Sequence, residues 1–169
     1  QELSNNGINL LQNEQAMSLQ INNLEKHQSR AVFKTLNLDL RQYGEMSMFI
    51  HAESGLKQSP QLLNGQVAAV IRIGQDFWNN YYEIKIPLEI TQFSSTATAE
   101  EIWPDSNSLA VILNDLVQLK IRRDSKTTNI AGFYSEVIGD RTYAVKGNPN
   151  LGEVQGFLIA VENETESNI

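Results

Sequence analysis

Period-two alternation recurs in short runs along this chain, and it restricts the fold to one built on half-buried strands. The stretch 30–55 carries the pattern twice, on either side of a break. In its first half Val32, Leu36, Leu38 and Leu40 mark an apolar face, with Lys34 off the pattern. In its second half Met46, Met48, Ile50 and Ala52 share one face, and Ser47, Phe49, His51 and Glu53 share the other. Phe49 on the less apolar side predicts that this side is partly covered too, so 45–53 reads as a central strand of a β-sandwich. The break at 39–44 is polar, and it closes on Gly44, a residue type that can take positive φ.

Other segments extend the pattern. Residues 15–22 alternate through Met17, Leu19 and Ile21, and 66–73 through Val67, Ala69, Ile71 and Ile73. Residues 81–88 resume with Tyr82, Ile84, Ile86 and Leu88 after a turn signal at 74–80, which predicts a hairpin. Pro87 donates no ladder bond, so that strand should end there or run along an edge. Strands are also expected at 141–146 and 154–161. The latter is apolar on both faces and should lie mid-sheet. Residues 130–137 fit no single period.

One helix is expected near 107–123, where Leu109, Ile112, Leu113, Leu116 and Leu119 recur at helical spacing. Asp105, Ser106 or Asn107 would cap it, and Lys120, Arg122 and Arg123 would complement its dipole. Val117, Leu119 and Ile121 also alternate, which keeps an extended reading open. The reading is a single domain over 1–169, with a lead-in at 1–13 and a polar tail at 163–169. Its class is mainly β, a jelly-roll-like sandwich with one short inserted helix. A strand, an LDL phrase, Tyr-Gly and another strand is a familiar look of galactose-binding-like modules.

Composition closes off several functions. The chain has 169 residues and is 41% hydrophobic, enough for a core and too much for disorder. Its 20 acidic and 13 basic residues leave a net charge of −7, which argues against nucleic acid and anionic membrane as partners. There is no cysteine, so disulfides and thiolate metal sites are excluded. No apolar run approaches the ~20 residues of a spanning helix, and the start of the chain has neither the basic region nor the apolar core of a signal peptide.

Catalytic signatures are missing as well. There is no Gly-x-Ser-x-Gly elbow and no phosphate-binding glycine loop. His27 reads as a solvated loop residue and His51 as a satisfied, half-buried one. Glu100, Glu101 and Asp105 suit the start of a helix better than a glycosidase pair. Asp76, Asn79 and Asn80 offer oxygens to a weak calcium site, yet asparagine at a turn needs no metal. Neither a cofactor nor a metal is therefore expected. The aromatics at the hairpin turn, Phe77, Trp78 and Tyr81, together with Trp103, admit three readings: a plug on their own core, a docking surface, or a sugar platform. At 39–44, Tyr43 is expected to bury its ring and Arg41 to pair with Asp39 or brace a carbonyl.

Four phrases carry a family resemblance. They are LNLDLRQYGEMSMFIHAES (36–54), IRIGQDFWNNYYEIKIPL (71–88), EIWPDSN (101–107) and GNPNLGEVQGFLIAVEN (147–163). In this order they resemble the SprA family, the very large outer-membrane translocons of type IX secretion in Bacteroidetes, known also from gliding motility. The resemblance implies a non-enzymatic, soluble piece of a cell-envelope protein, facing the periplasm or the cell surface. Its partners would be other parts of the translocon barrel, the shuttle and plug proteins, and secreted cargo. Asp39, Arg41, Tyr43 and Gly44 fall in the phrase that matches most closely and are read as a structural motif. The strands read from the sequence are shorter than the ~9–11 residues of barrel wall and are interrupted by a helix, so a barrel wall is not expected. The rival reading is a cell-surface carbohydrate-binding module.

Overall fold

A computed structural model describes residues 2–5, 8–11, 16–55, 61–92 and 96–169. The strands are β1 (Glu2–Asn5), β2 (Ile8–Leu11), β3 (Ser29–Leu38), β4 (Glu45–Met48), β5 (Val67–Gly74) and β6 (Tyr81–Pro87). After helix α1 (Ala99–Ile102) and a 3-10 turn at Asp105–Asn107 come β7 (Leu109–Ile112) and helix α2 (Leu113–Lys126). Three more strands follow, β8 (Phe133–Ile138), β9 (Arg141–Lys146) and β10 (Val154–Asn163). The fold is mainly β and sandwich-like. A six-stranded antiparallel sheet has the order β3-β10-β5-β6-β9-β8, and two further two-stranded sheets pair β1 with β2 and β4 with β7.

The core lies on one face of the large sheet. Alternation places Ile71 and Ile73 of β5, Ile84 and Ile86 of β6 and Val145 of β9 on this face, all at 0% exposure. Against them pack Leu109 and Val111 of β7 and Leu113, Leu116 and Leu119 of α2. Each such side chain contributes about 1.5–3 kcal/mol by leaving water. The other face is lined by small residues under ion pairs. Arg72 donates to Glu83 at 2.5 Å, and Lys85 sits between Glu162 and Glu164.

Several expectations need correction. Strand β4 is neither long nor central: it spans Glu45–Met48 and pairs only with β7. Met46, Met48, Ile50 and Ala52 do pack against the core; on the opposite side Phe49 is 75% exposed, while His51 is half-buried against Trp103. Residues 16–22 are not a strand, because Leu19 and Ile21 settle half-buried without a ladder partner. The expected helix begins later than its apolar spacing implied. Leu109 and Val111 point inward from β7, and only from Leu113 does the chain become helical. Its N-cap position is Ile112, with no side-chain cap. Among the described residues there are two helices rather than one, since a capping box between Thr98 and Glu101 starts α1. Here the acids near 100 do sit in a first helical turn.

The expected hairpin of β5 and β6 is present, β6 ends at Pro87, and β10 lies between β3 and β5. The polar residues after β10 are tied down. The amide of Leu24 donates to the Ile169 carbonyl at 2.7 Å, and the Ile169 amide donates back at 2.9 Å. Asn163 is fully buried and donates to the carbonyls of Leu24 and Ser167.

Asn107, also at 0% exposure, does not cap a helix. Its Oδ1 accepts from the Glu89 amide at 2.7 Å and its Nδ2 donates to the Glu89 carbonyl at 2.9 Å. This pair pins the 3-10 turn to the chain leaving β6. Asn107→Ala leaves both backbone groups of Glu89 without that partner. It should cost about 1–3 kcal/mol in chemical denaturation, the usual penalty for orphaned polar groups. An unchanged denaturation midpoint would show that the pair is not holding the turn.

Candidate docking site at the loop end of the sheet

Three connections meet at one end of the large sheet. They are the β5–β6 loop (75–80), the β9–β10 loop (147–153) and the crossing from β3 to β4 (39–44). Register requires this meeting, because Gly74 stands opposite both Tyr81 and Gly156, and Val154 stands opposite Leu38. The four phrases of the sequence reading contribute three of their members here.

The β5–β6 loop is built on Asp76. Its Oδ1 accepts from the amides of Trp78 at 2.8 Å, Asn79 at 2.5 Å and Asn80 at 3.2 Å, and its Oδ2 accepts from the Asn80 side chain at 3.0 Å. Burial pushes the Asp76 carboxyl up, but the donors from Asn79, Asn80 and Trp78 outweigh it and hold the group down at about 2. Among the described residues no cluster of three His, Cys, Asp or Glu could hold a metal. The oxygens of Asp76 are engaged by N–H donors, so its role here is that of a turn anchor.

Neighbouring loops lock onto this one. Asn80 Oδ1 accepts from the Asn148 amide at 3.0 Å. Gln75 donates to the Asn150 carbonyl at 2.8 Å and accepts from the Asn150 amide at 3.1 Å. Gly147, at φ 67°, lies so close to Asn79 that a Cβ would overlap its carbonyl oxygen. Gly156 likewise leaves room for the Phe77 ring, which would collide with any side chain there. An isolated glycine inside a strand often marks such an approach.

The crossing at 39–44 joins the large sheet to the second layer. Leu40 donates to the Leu151 carbonyl at 2.7 Å, and the Gly44 carbonyl accepts from the Leu113 amide at 3.0 Å. Arg41 pairs with Asp39 through two bonds of 2.9 and 2.6 Å, and its side chain lies over Gly152. The bonds from the Arg41 side chain and amide hold the Asp39 carboxyl at about 2. Tyr43 is not buried as expected: it is 64% exposed, and its hydroxyl has no hydrogen-bond partner among the described residues. Gly44 does not use positive φ, which among the described glycines is taken by Gly65, Gly139 and Gly147.

The four aromatics part company. Phe77 folds back on the outer face against Val70, Leu158 and Ala160, with the Phe33 ring 5.4 Å away. Tyr81 is buried beneath the Arg72 guanidinium, 4.5 Å from its ring centre. Trp103 lies toward the other end of the sheet, 5.6 Å from the His51 ring, whose Nδ1 is 2.7 Å from the Ile102 carbonyl. Trp78 alone among them stands out at the loop end, 71% exposed. Its backbone is fixed by Asp76 while most of its side chain faces solvent, a pre-organised aromatic at a loop tip.

Sequence reasoning missed one residue that governs this end. Arg123 is 1% exposed and donates to the carbonyls of Gly147 at 2.5 Å and Ile130 at 3.3 Å. Its position on the stripe of Leu116 and Leu119 was the available signal, since that spacing points inward.

The sequence profile of the SprA_N family, described as a motility related/secretion protein, matches residues 2–169. The chain belongs to this family. Among curated proteins none matches it. Among the described residues no helix is long and apolar enough to cross a membrane.

Because the Asp76 carboxyl is held below its ordinary value, its contribution to stability is complete above about pH 4 and disappears as pH falls through about 2. Asp76→Asn keeps the shape but loses the charge. Its melting temperature should therefore lie below that of the parent at neutral pH, and the two should converge toward pH 2. Parallel curves across that range would mean that the carboxylate does not anchor the loop.

Proposed function

We propose that this chain is a non-enzymatic module of a SprA-like outer-membrane translocon, serving type IX protein secretion and gliding motility in Bacteroidetes. The module sits in the cell envelope as a soluble domain on the periplasmic or cell-surface side. It holds other parts of the translocon barrel, its shuttle and plug proteins, or secreted cargo, and it takes no cofactor. Membership of a motility- and secretion-related family supports this setting. The observation that carries the docking role is Trp78, exposed at the tip of a loop whose backbone is fixed by Asp76 and braced by Asn148 and Asn150.

A carbohydrate-binding role is the second reading. The same tryptophan, next in the chain to Asn79, has the chemistry of a sugar platform. Fold alone is no argument for it.

Trp78→Ala separates the two. The ring is exposed, so the isolated chain should melt within about 0.5 kcal/mol of the parent. In cells carrying the substitution in the full-length protein, secretion and gliding should fail. Normal secretion and gliding would contradict the docking role. Glycan-array binding that disappears in Trp78→Ala would favour the carbohydrate reading.

A further inference from the structure

The long edge of the large sheet has the properties of a second interaction surface. Strand β3 pairs on one side with β10 and, among the described residues, has no strand on the other. All of its ten residues but Leu36 are exposed, including Val32 and Phe33 at 38% and 67%. Among the described residues the outward backbone groups of β3 bond to nothing. Natural edges of this length are normally covered or guarded.

Beside this edge runs a groove of about 320 Å³, walled by Ser18–Asn22 on one side and Arg30, Ala31 and Val32 on the other. Leu19, Ile21 and Val32 give it apolar walls, and Arg30 stands at its side. Residues 18–22 make no ladder with β3, so the groove lies between a strand edge and a facing segment of chain.

Charge states what would fill it. The protein is acidic overall, at −7. Among its described lysines and arginines, those with neither an ionic nor a hydrogen-bonded side-chain partner are Arg30, Lys34 and Lys146. Two of these lie on β3, four residues apart, opposite Val161 and Phe157 and so on one face of the strand, with Val32 between them. The register is regular from Ser29 to Thr35 and breaks only where Leu36 and Asn37 stand against Gln155. The usable edge thus reads cation, apolar, cation on one face, and Ala31 and Phe33 on the other.

We infer that β3 accepts an added β-strand from an extended partner segment in which acidic and apolar residues alternate. Main-chain bonds to the free edge would supply affinity, and carboxylates opposite Arg30 and Lys34 would set register. A second copy of this chain is a poor occupant. The antiparallel register that lays one β3 on the regular half of another puts Arg30 opposite Lys34 twice, and like charges placed so are destabilising. The same two cations that guard the edge against self-pairing select an acidic strand.

The test uses the 169-residue chain and two short synthetic peptides, one alternating glutamate and valine, the other lysine and valine. Amide exchange followed by mass spectrometry should show the glutamate peptide protecting Ser29 to Thr35, with the lysine peptide inert. The double variant Arg30→Glu, Lys34→Glu changes exposed side chains, and its melt should match the parent. It should bind the glutamate peptide about tenfold more weakly and gain binding to the lysine peptide. The inference is overturned if the glutamate peptide does not bind, if it protects amides elsewhere, or if charge reversal leaves the preference unchanged. A dimer of the chain, seen by sedimentation and protecting the same amides without peptide, would overturn it in favour of a second copy.

Discussion

Arg123 is buried to 1% exposure where the end of α2, the start of β8 and the turn after β9 come together. A charge in that position is costly unless every donor finds an acceptor. Its Nε and one terminal nitrogen donate to Asp124, at 2.9 and 2.8 Å, and the other terminal nitrogen donates to the carbonyls of Gly147 and Ile130. The guanidinium thereby fixes the helix layer to the turn that leaves the sheet. Lys120, one turn earlier in α2, reaches the same connection through the Pro149 carbonyl at 2.8 Å. Burial holds its ammonium below the usual lysine range.

From Gly147 the constraint passes outward. Its φ of 67° and the closeness of Asn79 leave no room for a side chain, so the hairpin loop seats directly on backbone. Asn80 then bonds to the Asn148 amide, Asp76 gathers the amides of 78–80, and Trp78 is presented to solvent. Each step joins segments far apart in sequence. This is a physical reason for the peculiar asparagine- and glycine-rich wording of the phrases at 71–88 and 147–163: they are two halves of one interlock. The phrase at 36–54 joins through Leu40 and Arg41, which meet Leu151 and Gly152. The phrase at 101–107 works elsewhere, through Asn107 at the opposite end.

Much of the sheet was legible because period two reports which face is buried. Strands β5, β6, β9 and β10 follow from alternation, and β10 shows its central place by being apolar on both sides. Where pattern and pairing diverge, the reading failed. Residues 45–53 alternate throughout, yet only Glu45–Met48 finds a partner strand, because β7 is that short. Leu109 fits the helical stripe with Ile112 and Leu113 and also alternates with Val111 as a strand would, and the choice fell to β4, which offers this segment a ladder. Tyr43 read as a buried ring in a tight crossing between strands, but the crossing turns it to solvent. The loop end was partly legible: turn residues marked it and Trp78 was singled out, whereas the sorting of Phe77 inward and Trp78 outward depends on Gly156, which meets Phe77 only across the sheet. Arg123 was read as a dipole partner because arginine is seldom fully buried.

The central claim is that the loop presenting Trp78 takes its rigidity from the Arg123–Gly147 anchor. Hydrogen exchange at the amides of Trp78, Asn79 and Asn80 measures it directly, comparing the parent with Arg123→Met under conditions where Ile71 and Ile73 in β5 stay protected. The account predicts that exchange at these three amides accelerates markedly in the variant while the β5 amides keep their protection. Parent-like protection at 78–80 in a folded Arg123→Met would contradict it, and would mean that Asp76 holds the loop without help from the helix layer.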